Sequence, residues 1–173
     1  MKARRITFLA MLLALAIALG IAESFIPGFW MPGIKLGLTN IVILLVLYTL
    51  SPWEALFITL ARVLLVSLIR GTFMQMGFLM SLSGALLSLL IMWLAKAFLK
   101  KLTIVGVSVL GAVFHNIGQV LVGVWYLENP AVLYYLPFMT IISIVTGILF
   151  ALAVEGILKT GVVKHLLKED ATH

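Results

Sequence analysis

Residues 73–95 read FMQMGFLMSLSGALLSLLIMWLA, an apolar run of 23 positions without one charged side chain. A helix rises about 1.5 Å per residue, so such a run is long enough to cross roughly 30 Å of hydrocarbon. Within it Gly77, Ser81, Gly84 and Ser88 recur every three or four residues, which gathers the small side chains into a stripe where a second helix can approach closely. The run therefore predicts a membrane-crossing helix sealed into a bundle, and serines on the stripe also suit a polar cavity.

The rest of the chain repeats this pattern. Apolar segments cover Ile6–Ile26, Leu38–Leu50, Trp53–Ile69, Phe73–Ala95, Ile104–Leu127 and Val132–Leu158. Breaks fall at Pro27-Gly28 and Pro32-Gly33, at Ser51-Pro52, near Arg70-Gly71 and at Glu128-Asn129-Pro130, where proline or glycine stops a helix, and at the basic run Lys96–Lys101. Of the 173 residues 64% are hydrophobic and 10% charged, against roughly 45–50% apolar in soluble domains. The expectation is an all-α polytopic membrane bundle of about six transmembrane helices in a single domain over residues 1–173. The second segment is short, and it reaches a full span only if Ile34–Gly37 joins it or the bilayer thins locally. Residues 1–26 have the charge pattern of a signal peptide, but the run is long and further spans follow it, so it reads as a retained first helix.

Charge sets the expected orientation. With the N-terminus inside, one side collects Lys2, Arg4, Arg5, Lys96, Lys100, Lys101, Lys159, Lys164 and Lys168, whereas the other receives Lys35 and Arg70. Basic residues are retained on the cytoplasmic side, so both termini and the tail over residues 159–173 are expected in the cytoplasm of a cell-membrane protein. The formal charge of +6 then reflects topology rather than nucleic-acid binding.

Several chemistries lack their residues. The chain has no cysteine, hence no disulfide or thiolate metal site. Its one aspartate is Asp170, so the paired aspartates that hold a magnesium-bound diphosphate are missing. No GxxxxGK[ST] loop occurs, so any energy from ATP must come from another chain. The chain reads as a non-enzyme with no cofactor or metal.

Polar residues inside apolar segments are the candidate sites. Arg62 lies about eight residues from either end of its segment, too deep for easy snorkelling, and an intramembrane arginine points to function or to a buried ion pair. Glu54 and Glu155 are the candidate partners for a structural pair. Alternatively Lys35, Arg70 and Arg62 form an outward-opening basic path for an anion, with Asn40 nearby. His115 and Gln119 share a face of the fifth long segment, with Asn116 beside them and Gly111 one turn earlier; they read either as an interhelical network or as a ligand cavity. One histidine without carboxylates or thiolates is too few ligands for a metal. Ala10, Ala14, Ala18 and Ala22 form a smooth face at four-residue spacing, suited to packing within the bundle or to docking a partner. Thr140, Ser143, Gly147 and Ala151 form a similar stripe on the last segment.

The runs PGIKLGLTNI, ARVLLVSLIRG, SLSGALLS and FHNIGQ together resemble the Gx transporter family, whose members are often labelled heptaprenyl diphosphate synthase component I. That family is grouped with the substrate-binding S components of energy-coupling factor transporters. The resemblance covers about residues 5–158. It implies a bundle that captures a small anionic or amphipathic metabolite from outside, working with a transmembrane coupling subunit and two cytoplasmic ATPases. It also maps an alanine docking motif onto Ala14 and Ala18, flanked by Ala10 and Ala22. On this reading a loop at Phe29-Trp30-Met31 and Lys35 caps a cavity lined by Asn40, Arg62, Ser81, Ser83, His115, Asn116 and Gln119. Lys35 is then a gate, or else an interfacial lysine paired with Glu23 or lipid phosphate. The alternative function is a membrane anchor or partner subunit in quinone- or flavin-linked electron transfer or isoprenoid metabolism.

Overall fold

The computed structural model describes residues 2–25, 35–161 and 163; the expected cap at Phe29-Trp30-Met31 and the tail from residue 164 onward lie outside the described residues. Six α-helices follow in order: α1 Lys2–Phe25, α2 Asn40–Thr49, α3 Pro52–Ile69, α4 Met76–Phe98, α5 Ile104–Leu127 and α6 Leu136–Lys159. A 3₁₀ segment over Pro130–Tyr135 leads into α6. All but α2 belong to five stretches long and apolar enough to cross a membrane, and the chain is a helical membrane bundle.

Local chemistry explains the helix ends. Ser51 accepts from the Glu54 amide while the Glu54 carboxylate accepts from the Ser51 amide, and Pro52 occupies the first turn. This reciprocal cap satisfies two amides that a helix start leaves over. Thr103 caps α5 through the Gly106 amide, and Glu128 ends it in a left-handed conformation with φ 50°. Residues 70–75 form a turn that delays α4 to Met76, three residues later than the apolar run suggests.

The helices pack as a row in the order α1, α3, α4, α5, α6, with α2 threaded along its inner side against all five. Helix α2 is apolar all round, and Val42, Ile43, Leu44, Val46 and Leu47 are almost completely enclosed. Such a helix belongs in a core. Its ten residues cover about 15 Å, roughly half the hydrocarbon thickness. The remaining half is taken by residues 35–39, which are not helical. Thus residues 35–37, the described part of the expected Ile34–Gly37 extension, do not join the helix, and residues 35–49 are irregular backbone followed by helix.

Small residues bring α4, α5 and α6 together as their stripes predicted. A Cβ on Gly118 would lie 2.9 Å from both the Gly84 Cα and the Ser83 carbonyl oxygen, and one on Gly147 would lie 2.8 Å from the Val109 Cα. Hydroxyls bridge the same seams, with Ser83 Oγ donating to the Gly118 carbonyl at 2.8 Å and Ser108 Oγ to the Gly147 carbonyl at 2.7 Å. Gly118→Val is expected to lower unfolding stability by about 1–3 kcal/mol through overpacking. Gly156→Val, where no atom lies within 4 Å of the added carbon, should cost much less; thermal unfolding in lipid nanodiscs compares the two.

Candidate functional site

The neighbours α1 and α3 run in the same direction, since Arg5 near the start of α1 binds Glu54 at the start of α3 through two bonds of 2.6 and 2.7 Å. That end of the bundle also holds Lys96, Lys100, Lys101 and Lys159 at the helix ends. At the opposite end the last turns of α1 and α3, the turn over residues 70–75, the first turns of α4 and Tyr126 enclose a cavity of about 470 Å³, within the usual range for ligand sites.

Arg62 lies in this cavity. The residue is 6% exposed, and its Nε and Nη2 have no hydrogen-bond partner among the described residues. Neither expected counter-ion serves it: Glu54 is held by Arg5, and Glu155 pairs with Lys159 at 2.8 Å. The acid within electrostatic reach is Glu23, which also lines the cavity. Among the described residues, no carboxylate closes on Arg62 to ion-pair distance. A buried cation without a hydrogen-bonded partner is costly, so the arrangement is unfinished without a further acceptor.

Glu23 holds the irregular segment. One carboxylate oxygen accepts from the Gly37 amide and, at 3.2 Å, from the Leu38 amide. From the other side Gln119 Oε1 accepts from the Lys35 amide at 3.2 Å. That contact orients the Gln119 amide, so its Nε2 faces His115 Nε2 at 2.8 Å. Gly37 is required twice, by φ of 79° and because a Cβ would lie 3.1 Å from Asn40 Nδ2 and 3.3 Å from His115 Cδ2. Together these contacts turn Lys35 into the cavity wall.

The structure divides the residues singled out in the sequence. Lys35, Arg62 and Ser81 line the cavity, as does Arg70 at its exposed rim. His115 and Gln119 lie behind the irregular segment, buried at 3% and 0% exposure, and Asn40 sits at its end against Gly37. Ser83 is spent on the α4–α5 seam. Asn116 reaches α6, donating to Ser143 Oγ and the Met139 carbonyl. None of these five belongs to the cavity lining. Sequence reasoning passed over Ser67, Thr72, Gln75 and Tyr126, which line it, and gave Glu23 only a surface role. A carboxylate ending the uncharged run 6–22, followed by a proline- and glycine-rich joint, was the available signal. Ala10, Ala14, Ala18 and Ala22 are all exposed on the outer side of α1, whereas the buried α1 face runs through Phe8, Leu12 and Ala16.

Fold and cavity thus define a multi-pass membrane protein with a cationic cavity at the end away from its basic helix ends. A family model described as heptaprenyl diphosphate synthase component I matches residues 12–157, and the chain belongs to that family. Comparison with curated proteins and with solved structures returns no match.

Removing the clamp tests this geometry. Glu23→Ala leaves two buried amides without an acceptor, at about 1–3 kcal/mol each, while Glu23→Gln retains an oxygen in place. Chemical unfolding in nanodiscs should rank wild type above Glu23→Gln and Glu23→Gln well above Glu23→Ala.

Proposed function

We propose that the chain is the substrate-binding membrane subunit of an energy-coupling factor type importer, taking a small anionic or amphipathic metabolite into the cavity around Arg62. The observation that carries this reading is the buried, unpartnered guanidinium in a chamber of ligand size. An anion with paired oxygens completes its hydrogen bonding, since guanidinium and carboxylate or phosphate match in bidentate geometry. Val63, Val66, Phe78 and Met76 supply apolar wall for the remainder of an amphipathic ligand.

The distribution of charge agrees with an outward-facing mouth. Arg4, Arg5, Lys96, Lys100, Lys101 and Lys159 sit at the end opposite the cavity, so retention of basic residues in the cytoplasm puts the termini inside and the cavity outside. The exposed alanine face of α1 gives a coupling subunit a surface of low relief to approach, and ATPases bound to that subunit would supply the energy. The family name, ending in "component I", implies a partner subunit of some kind. On this reading the chain itself catalyses nothing.

The rival assignment, a membrane anchor for quinone- or flavin-linked electron transfer or isoprenoid metabolism, makes the polar residues purely structural. Native mass spectrometry of the detergent-purified complex separates the two. The importer reading expects a bound small molecule, a membrane coupling subunit and ATPases; copurification with a flavoprotein, quinone or soluble synthase, and no coupling subunit, removes it. Arg62→Ala should weaken ligand retention at least tenfold, as expected for losing a charge-assisted pair of about 1.5–3 kcal/mol, with folded yield changing less. Ala14→Leu together with Ala18→Leu should preserve ligand and reduce recovery of the coupling subunit.

A further inference from the structure

The charges around the cavity do not balance. Among the described residues, Lys35, Arg62 and Arg70 face a single carboxylate, that of Glu23. Lys35 is within electrostatic reach of all three other groups, so the cations surround a shared space rather than three separate ones. Glu23 already accepts from two backbone amides. The neutral polar groups cannot supply many donors either. Ser67 Oγ donates to the Leu64 carbonyl, Ser81 Oγ to the Gly77 carbonyl and Gln75 Nε2 to the Gly71 carbonyl. The two serine protons are used along the chain that carries them, so an anion meets the three cations and, as neutral donors, the second Gln75 N–H and the hydroxyls of Thr72 and Tyr126. A single negative charge would leave one of the three cations without a counter-charge, and the one left over is Arg70 at the exposed rim, whose attraction is then unused.

We propose that the cavity selects a doubly charged oxyanion head group, of which a phosphate monoester is the simplest, over carboxylates and phosphodiesters that carry one charge. The proposal rests on the reading of the cavity as the substrate site. Arg62 meets the head group at depth, Lys35 meets it from the irregular segment, and Arg70, about two helical turns beyond Arg62, closes the charge balance at the mouth. The monoester's oxygens can be shared among these donors, two carried by α3 and one by the irregular segment.

Two probes of nearly equal size test it: phenyl phosphate and methyl phenyl phosphate, the diester that keeps one charge. Binding to the full-length chain in nanodiscs of neutral lipid is measured by calorimetry at millimolar probe concentrations. At about pH 7.5 phenyl phosphate should bind at least tenfold more tightly than the diester. Lowering the pH to about 5 returns a proton to the monoester, whose second pKa is about 6, and should remove most of that preference. The groups facing the probe are Glu23 from α1, Lys35 from the irregular segment, Arg62 and Arg70 from α3 and Tyr126 from α5, with none from the α4 lining. Protonation of Glu23 at the lower pH would add positive charge to the cavity and favour the dianion, so it works against the loss of preference expected from protonating the monoester.

Arg70→Gln should weaken phenyl phosphate binding more than diester binding and so shrink the ratio, whereas Lys101→Gln, the same loss of charge at the far end, should leave the ratio intact. Equal affinities at about pH 7.5, a ratio that does not respond to pH, or no measurable binding of phenyl phosphate overturns the proposal. Dianion preference in a chain that recruits no coupling subunit would instead overturn the importer reading alone. Assembly with a coupling subunit but no dianion preference would overturn only the proposal.

Discussion

Backbone that leaves a helix inside an apolar bundle must find a partner for each amide, and the Glu23 carboxylate provides it for Gly37 and Leu38. In hydrocarbon an unsatisfied amide costs several kcal/mol, and irregular backbone survives only where protein or a cavity surrounds it. Residues 35–39 meet that condition between α1 and α5, with Gln119 closing the other side. Because α2 starts only at Asn40, the space that an outer half-helix would fill becomes available to a cavity. The clamp and the cavity are therefore two consequences of one short helix.

The same carboxylate moderates the cationic wall. Burying Arg62 without any acid nearby would be prohibitive, and Glu23 reduces that cost at a distance without forming a direct pair. A tight ion pair would instead have consumed the guanidinium's donors. Stability and binding capacity are thus balanced through geometry: near enough to offset the charge, too far to satisfy the hydrogen bonds.

Rigid support comes from the other side of the row. Gly84, Gly118 and Gly147 let α4, α5 and α6 approach to backbone contact, and the hydroxyls of Ser83 and Ser108 tie the seams. Asn116 adds a third tie, to Ser143. These residues hold His115 and Gln119 where they can support the irregular segment. Polar side chains within the bundle therefore divide into those that join helices and those that face the cavity, although both kinds look alike along the chain.

Composition, run length and break residues determined by themselves that this is an all-helical membrane bundle, and they placed five long helices to within a few residues. Small-residue spacing also identified the seams of α4 and α6, because a periodicity of three to four residues constrains which atoms share a helix face. The sequence likewise singled out Arg62, Lys35 and Arg70, since charge in an apolar run is conspicuous. It did not distinguish Glu23 from Glu54 or Glu155 as the acid near Arg62, nor separate the helix-joining Asn116 from the cavity-lining Ser81. Those choices belonged to tertiary structure alone. They depend on which helices become neighbours and how α2 is interrupted, and distances between residues far apart in the chain decide them.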